Sequence, residues 1–175
     1  MEDLVVLVDE NDREIGVEGK LAAHRSGKLH RAISVFVFDR DNRLLLQQRA
    51  SIKYHSGSLW SNTCCTHPRP AESNIDAASR RLREEMGVAC ELSQAFSFVY
   101  RAAFPNKLIE HEYDHVFFGR YDGAPVPDRN EADDWQWMSL PRLTADVRRN
   151  PALYSFWLTV ALDRVVACVG GDDRA

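Results

Sequence analysis

Apolar residues follow two rhythms along this chain. The first is a set of short blocks rich in β-branched and aromatic side chains, bounded by turn-forming residues, which is the pattern of strands. Leu4–Val8 is such a block, followed by a turn over Asp9–Arg13 and a returning strand over Glu14–Val17. Ala32–Phe38 and Leu44–Gln48 flank Asp39-Arg40-Asp41-Asn42 and predict a hairpin with turn chemistry at its tip. Ser58–Cys65 and Trp135–Met138 predict short strands, and Ala95–Tyr100 and Glu112–Tyr121 predict two more around a loop at Pro105-Asn106. The second rhythm is helical. Ile75, Ala78, Leu82 and Met86 recur at helix spacing, after a Ser73-Asn74-Ile75-Asp76 capping pattern and before Gly87 as the stop. Leu153–Val169 predicts a closing helix with Leu153, Trp157, Val160, Ala161, Arg164 and Val165 roughly on one face. Strands around one central helix, with another helix at the end, specify an α+β or layered α/β domain.

No internal repeat, low-complexity tract or long linker interrupts the pattern, so residues 1–169 read as a single domain and 170–175 as a disordered tail. A chain of 175 residues buries a core without disulfide or metal staples. The net charge of −4 leaves no broad basic footprint and argues against nucleic acid as a partner. Met1-Glu2-Asp3-Leu4 lacks the basic, then apolar, opening of a secretory signal. The apolar run Ala161–Val169 is too short, and too charged at Asp163 and Arg164, to span a membrane. Cys64, Cys65, Cys90 and Cys168 include an adjacent pair that suits no disulfide framework, which points to reduced thiols in a cytoplasm. Monomer and homodimer stay equally open.

Two patches carry the chemistry. One is Ser61-Asn62-Thr63-Cys64-Cys65-Thr66-His67-Pro68, a thiol two residues before an imidazole; the other is Glu110-His111-Glu112-Tyr113-Asp114-His115. Thiols, imidazoles and carboxylates bind metals and move protons near neutral pH. On an extended segment Glu110 and Glu112 point the same way, so they either share a cation or push one pKa up. Taken alone, such a pair is more often a charged strand face. Cys65 alone would be a small buried hydrophobe, and His24, His30 or His67 alone an ordinary histidine. The joint pattern carries the reading.

The helix has its own signature. Glu72, Arg80, Leu82, Glu84, Glu85, Gly87 and Val88 resemble the Nudix box at the right spacings. Thr66 stands where that box opens with Gly, and Arg81 stands where the family has a metal-binding Glu. Charge alone would equally make a solvated helix face with pairs such as Arg80 and Glu84. The departure at Arg81 suggests a diphosphate site turned from cutting to gripping.

Over about His24 to Trp157 the chain resembles the type I isopentenyl-diphosphate delta-isomerases, which have the Nudix fold. The residues that carry the resemblance are Ala22-Ala23-His24, Leu29-His30, Asn62 to Pro68, Glu72-Ser73-Asn74, Tyr100-Arg101-Ala102, Glu110 to Asp114 and Ser155-Phe156-Trp157. The resemblance implies a Nudix-like mixed sheet sandwiched by helices. It implies conversion of isopentenyl diphosphate to dimethylallyl diphosphate through a tertiary carbocation, a reaction that needs a proton donor and an acceptor on opposite faces and no water. Cys65 and Glu112 match the acid/base pair, with Tyr100 assisting Glu112 as donor and Trp157 facing the cation. His24, His30, His67, Glu110 and Glu112 match the ligands of one divalent ion, manganese or zinc. Glu85 matches the magnesium side, and Lys20, Arg49, Lys53 and Arg81 match the diphosphate contacts.

Two rivals remain at this stage. A Nudix pyrophosphohydrolase is disfavoured by Arg81 and leaves the Cys65–His67 pair unexplained. A binding module built on a structural zinc is disfavoured because adjacent Cys64 and Cys65 supply no fixed ligand spacing.

Overall fold

The computed structural model describes residues 3–53 and 55–172. Its centre is the strand β3 (His30–Phe38), which is buried along almost its whole length. Its alternate residues serve two different cores. Phe36 and Phe38 join one apolar cluster, whereas Ile33, Val35 and Val37 join another. A strand covered on both faces has no solvent side, so its sequence reads as the nearly unbroken apolar run seen here.

The remaining strands are β1 (Leu4–Val8), β2 (Glu14–Gly19), β4 (Arg43–Arg49), β5 (Trp60–Ser61), β6 (Cys64–Thr66), β7 (Leu92–Ala103), β8 (Ile109–Arg120) and β9 (Ala132–Ser139). β8 lies parallel to β3 from the rung His30–Glu112 to the rung Phe38–Arg120, and antiparallel to β7. β1, β6 and β4 pair antiparallel with β3. β1 pairs with β2, and β4 with β5 and β9. The sheet is therefore mixed.

Four helices flank it: α1 (Lys20–Ser26), α2 (Asn74–Met86), α3 (Leu140–Arg149) and α4 (Phe156–Asp172). Ala77, Ala78, Leu82 and Met86 of α2 pack on the odd-numbered face of β3. Trp157, Leu158, Ala161, Leu162 and Val165 of α4 pack with Phe36 and Phe38 in the other cluster. This is the expected layered α+β arrangement.

The local signals explain most boundaries. Ser73 caps α2, its hydroxyl accepting from Asp76 N at 3.2 Å. Gly87 ends that helix in the left-handed region, at φ +63°, where an added Cβ would lie 2.7 Å from Val126 O. In the β3–β4 turn, Asp39 Oδ1 accepts from Asp41 N at 3.0 Å and Arg43 N at 2.8 Å, which lets Asn42 take φ +56°.

Several expectations change. Ser58–Cys65 is not one strand: β5 and β6 bond to different neighbours, with Asn62 and Thr63 turning between them. α1 and α3 lie outside the elements read from the sequence. α1 is short and has neither a side-chain cap nor an acidic first turn, and α3 buries only Leu140 and Leu143. Leu153 lies in a 3-10 turn, Pro151–Leu153, so α4 starts at Phe156. Its buried stripe takes Leu158 and Leu162, and leaves Arg164 exposed. α4 also runs through Gly170 and Gly171 to Asp172, because each residue added to a nucleated helix gains a backbone bond. The remainder of the expected tail, 173–175, lies outside the described residues, as do Met1 and Glu2.

Candidate active site

The even-numbered residues of β8 and the matching residues of β7 project to the α4 side of the sheet. Val116, Phe98, Tyr100 and Ala102 lie in that core, and Glu110, Glu112 and Asp114 continue the same stripe towards one end. Nearly all of these are buried, so three carboxyls enter the interior on one face.

Glu112 is the meeting point. Its Oε1 lies 3.1 Å from His67 Nε2, 3.6 Å from His30 Nε2 and 3.9 Å from His24 Nε2. One ligand atom from each of these four residues falls within 4.8 Å of the others. They come from four separate elements: the last turn of α1, the first residue of β3, the segment after β6, and β8. His30 and Glu112 are partners across the parallel ladder, which accounts for their closeness. Its other oxygen, Oε2, lies 2.6 Å from the Tyr100 hydroxyl.

This cluster fits a cation. His30 Nδ1 lies 2.8 Å from Lys28 O and so carries its proton there, which leaves a bare lone pair on Nε2. His30 Nε2 and both ring nitrogens of His24 are buried without a hydrogen-bond partner. Buried polar atoms are normally satisfied, and a cation met by one nitrogen of each ring would supply a partner here. Burial, with Lys20 nearby, pushes the His67 imidazole down to about 3, which keeps it neutral as a ligand must be. Glu112 likewise has to be ionised to share such an ion.

Glu110, expected among the ligands, falls outside this four-residue group. Its Oε2 lies 3.1 Å from the Tyr100 hydroxyl and its Oε1 lies 3.6 Å from His55 Nε2. Burial and the Glu112 charge push its carboxyl up. A protonated Glu110 can donate to the phenol oxygen while the phenol donates to Glu112. The two carboxyls are therefore unequal, as a neighbouring pair requires.

Cys65 sits on the adjoining wall. Cys64 and Cys65 are consecutive on β6, so strand alternation turns their thiols to opposite sides: Cys64 is buried in the α2 core, whereas Cys65 packs against the α4 core. Cys65 Sγ lies 3.2 Å from Asn62 Nδ2, 3.3 Å from Asn62 Oδ1 and 3.5 Å from Ser34 Oγ. The Ser34 hydroxyl donates to Asp114 Oδ2 at 2.7 Å. Burial and the Asp114 carboxyl push the Cys65 thiol far above its ordinary value. Burial and Glu112 in turn raise Asp114 to about 8.

Lys20, His24, Arg49, Cys65, His67, Tyr100, Glu110, Glu112 and Trp157 all line one cavity of about 70 Å³. The Trp157 indole donates to Ser61 Oγ at 2.8 Å, and Ser61 meets Ser155 at 3.0 Å, which fixes the ring. The Arg49 guanidinium carbon lies 5.0 Å from that ring's centre, so a cation already engages the indole. His55, Ser34 and Ile33 also line the cavity and were not singled out from the sequence. His55 approaches Trp157 edge-on at 6.0 Å between ring centres, and burial lowers its imidazole to about 3. It stands in a loop with no spacing signal. Asn62 and Asp114, by contrast, lay inside the two motif segments.

The other expected residues lie next door. Lys53 and Arg81 line a cleft of about 680 Å³ that shares Lys20, Cys65, Thr66 and His67 with the cavity. Glu85 lies beneath Arg81, 2.6 Å from Arg81 Nη2 and 2.9 Å from Gln47 Nε2. Arg81 Nη1 meets Glu84 at 3.0 Å, and Arg80 clamps Glu72 at 2.7 and 2.9 Å. Glu131, which precedes β9 and was not read from the sequence, pairs with both Lys53 and Arg81, the latter at 3.3 Å.

Comparison with known proteins is consistent with this geometry. Residues 28–157 match the NUDIX domain model. Isopentenyl-diphosphate Delta-isomerase 2 of Aromatoleum aromaticum is 66% identical over 96% of this chain and 89% of its own. The isopentenyl-diphosphate Delta-isomerase of Burkholderia multivorans is 52% identical over 94% of this chain and 93% of its own. Among solved structures, the DR0079 protein of Deinococcus radiodurans superposes with a TM-score of 0.77 at 20% identity, over 93% of this chain and 98% of that one. At that identity the likeness is one of fold.

Proposed function

Given that the chain belongs to the Nudix superfamily and, within it, to the type I isopentenyl-diphosphate Delta-isomerases, we propose that it interconverts isopentenyl and dimethylallyl diphosphate. The observation that carries the site assignment is the shared cavity: the Cys65 thiol and the Glu112 carboxyl line one small pocket. The unpartnered nitrogens of His24 and His30 support a divalent ion held by His24, His30, His67 and Glu112. When bound, such an ion polarises the carboxylate and tunes its acidity. We assign Lys20 and Arg49 on the cavity wall, and Lys53 and Arg81 in the cleft, to the diphosphate, with magnesium arriving on the Glu85 side. Manganese or zinc suits the three imidazoles.

The reaction adds a proton to the terminal alkene carbon, passes through a tertiary cation and removes a proton from the carbon next to the diphosphate-bearing one. We assign the first transfer to Glu112, reached through the Tyr100 hydroxyl, and the second to Cys65. One proton serves the pair. Burial keeps it on sulfur, which leaves Glu112 ionised, the state from which the reverse reaction starts. A forward cycle therefore has to return that proton to the carboxyl. Water would trap the cation and has to be kept from it; Trp157 and Arg49, packed on each other, form part of the cavity wall. All of this chemistry belongs to one domain, residues 1–169, in a cytoplasmic enzyme. Among the described residues, no helix is long and apolar enough to cross a membrane.

Incubation with isopentenyl diphosphate and magnesium in deuterated water tests the reading. Deuterium should enter the new methyl group of dimethylallyl diphosphate. Release of phosphate or pyrophosphate without isomerisation would instead identify a hydrolase.

A further inference from the structure

The cleft beside the catalytic cavity holds a group that neither the sequence motifs nor the proposed chemistry uses. Lys53 and Arg81, the two cations assigned there to the diphosphate, already share one carboxylate, that of Glu131. Arg81 Nη2 is also 2.6 Å from Glu85 Oε1, so Glu85 and Glu131 converge on one guanidinium nitrogen. Glu131 is held where it is from its own backbone, its carbonyl accepting from Ala50 N at 2.9 Å. Burial would raise its carboxyl, but Lys53 and Arg81 outweigh that and keep it ionised.

A site built for a trianion gains nothing from a fixed negative charge beside its cations. Like charges a few ångströms apart repel, and an incoming anion has to displace the resident one before it reaches the same donors. The cost changes if the ligand brings its own cation. A divalent ion on the diphosphate meets Glu85 and Glu131, carboxylates that suit hard cations, while its phosphate oxygens take Lys53 and Arg81. The exchange then leaves neither the two carboxylates nor the two cations without a partner. A bare anion has nothing to offer the displaced carboxylates.

We propose that Glu131 is a specificity residue, an internal counter-anion that opens Lys53 and Arg81 to metal-laden diphosphate and closes them to metal-free anions. The proposal rests on the assignment of this cleft to the diphosphate. Its ligand class is a diphosphate ester in its magnesium form, and the class it rejects is free phosphate, sulfate or uncomplexed diphosphate.

The test uses inorganic pyrophosphate as the probe, measured by calorimetry on the wild-type enzyme and on Glu131→Gln, with and without magnesium. Gln keeps the shape and removes the charge. Wild type should bind pyrophosphate much more tightly with magnesium than without it. Glu131→Gln should bind metal-free pyrophosphate about tenfold more tightly than wild type does, with the magnesium dependence flattened. Metal-free binding that is unchanged or weaker in the variant overturns the proposal, provided its thermal transition matches wild type. If the transition is lost, titration of wild type with inorganic sulfate decides: binding as strong as that of magnesium pyrophosphate overturns the proposal, and negligible binding supports it. Turnover of isopentenyl diphosphate by wild type is measured separately. A wild type that does not turn over sinks the isomerase reading and leaves the pyrophosphate comparison valid.

Discussion

The histidine cluster and the basic cleft share a wall, yet they balance charge in opposite ways. In the cluster, His24 and His30 hold buried nitrogens with no partner, and Asp114 has a buried oxygen in the same condition. In the cleft, Arg80, Arg81 and Lys53 are already paired with Glu72, Glu84, Glu85 and Glu131. One region presents ligand atoms without hydrogen bonds; the other presents ion pairs already made. An orphaned donor is a direct sign of a ligand, whereas a satisfied ion pair hides one.

That contrast can be broken most decisively at the proposed acid/base pair. Cys65→Ala should lower turnover by about a thousandfold or more while leaving metal content and fold unchanged, as read by NMR of the product and elemental analysis. Glu112→Gln should lose turnover to a similar extent and also lose metal, because the proposed mechanism uses it as an acid/base and the cluster uses it as a ligand. Wild-type metal content in that variant would separate the two roles and remove Glu112 from the cluster.

A smaller effect is expected at His30. Its replacement by Ala should lower metal affinity by roughly ten- to a hundredfold or more. It should also erase the rise in melting temperature that added metal gives wild type. If the variant melts as wild type does at every metal concentration, His30 is not a ligand.

Asp114 sharpens the comparison through pH. Its folded pKa is raised to about 8, above the ordinary value of 3.8, so the unfolded chain releases this proton first. Its contribution to stability is fully present below about 3.8 and is lost as pH rises through about 8. Asp114→Asn should therefore be more stable than wild type at high pH, with the gain shrinking towards pH 4, as read from melting temperatures. The smallest effect belongs to the matched side. Glu72→Gln loosens a partly exposed clamp on Arg80 and should cost about 1 kcal/mol or less in urea unfolding, a cost that fades at high salt. A larger loss there, or no pH dependence at Asp114, would erase the distinction between the two regions.

The same contrast explains how far the sequence could be read. The apolar runs of β3 and β8 and the capped helix α2 were legible because burial on fixed faces imposes a period. Cys65, His67, Glu110 and Glu112 were legible because they stand close together in two segments. His55 and Glu131 were not, because each lies in a loop whose position is set by distant partners. For Glu131 these are Lys53, 78 residues away, and Arg81. Glu110 points to the same face as Glu112 but stands outside the tight four-residue group, because strand alternation fixes which face a side chain takes and not how far it reaches. The division of Ser58–Cys65 into two strands escaped notice for a related reason. Asn62 and Thr63 are fully buried turn residues, their side chains bonded to Val35, Cys64, Leu45 and Val37, and no local rule predicts that.

The rung that joins His30 to Glu112 links strands that are far apart along the chain. An ion gripped from both sides of that rung would act as a staple as well as a reagent. Shortage of metal would then do more than slow the enzyme: it would loosen one end of the β3–β8 ladder, and the supply of a trace element would help set how long each copy of the protein survives.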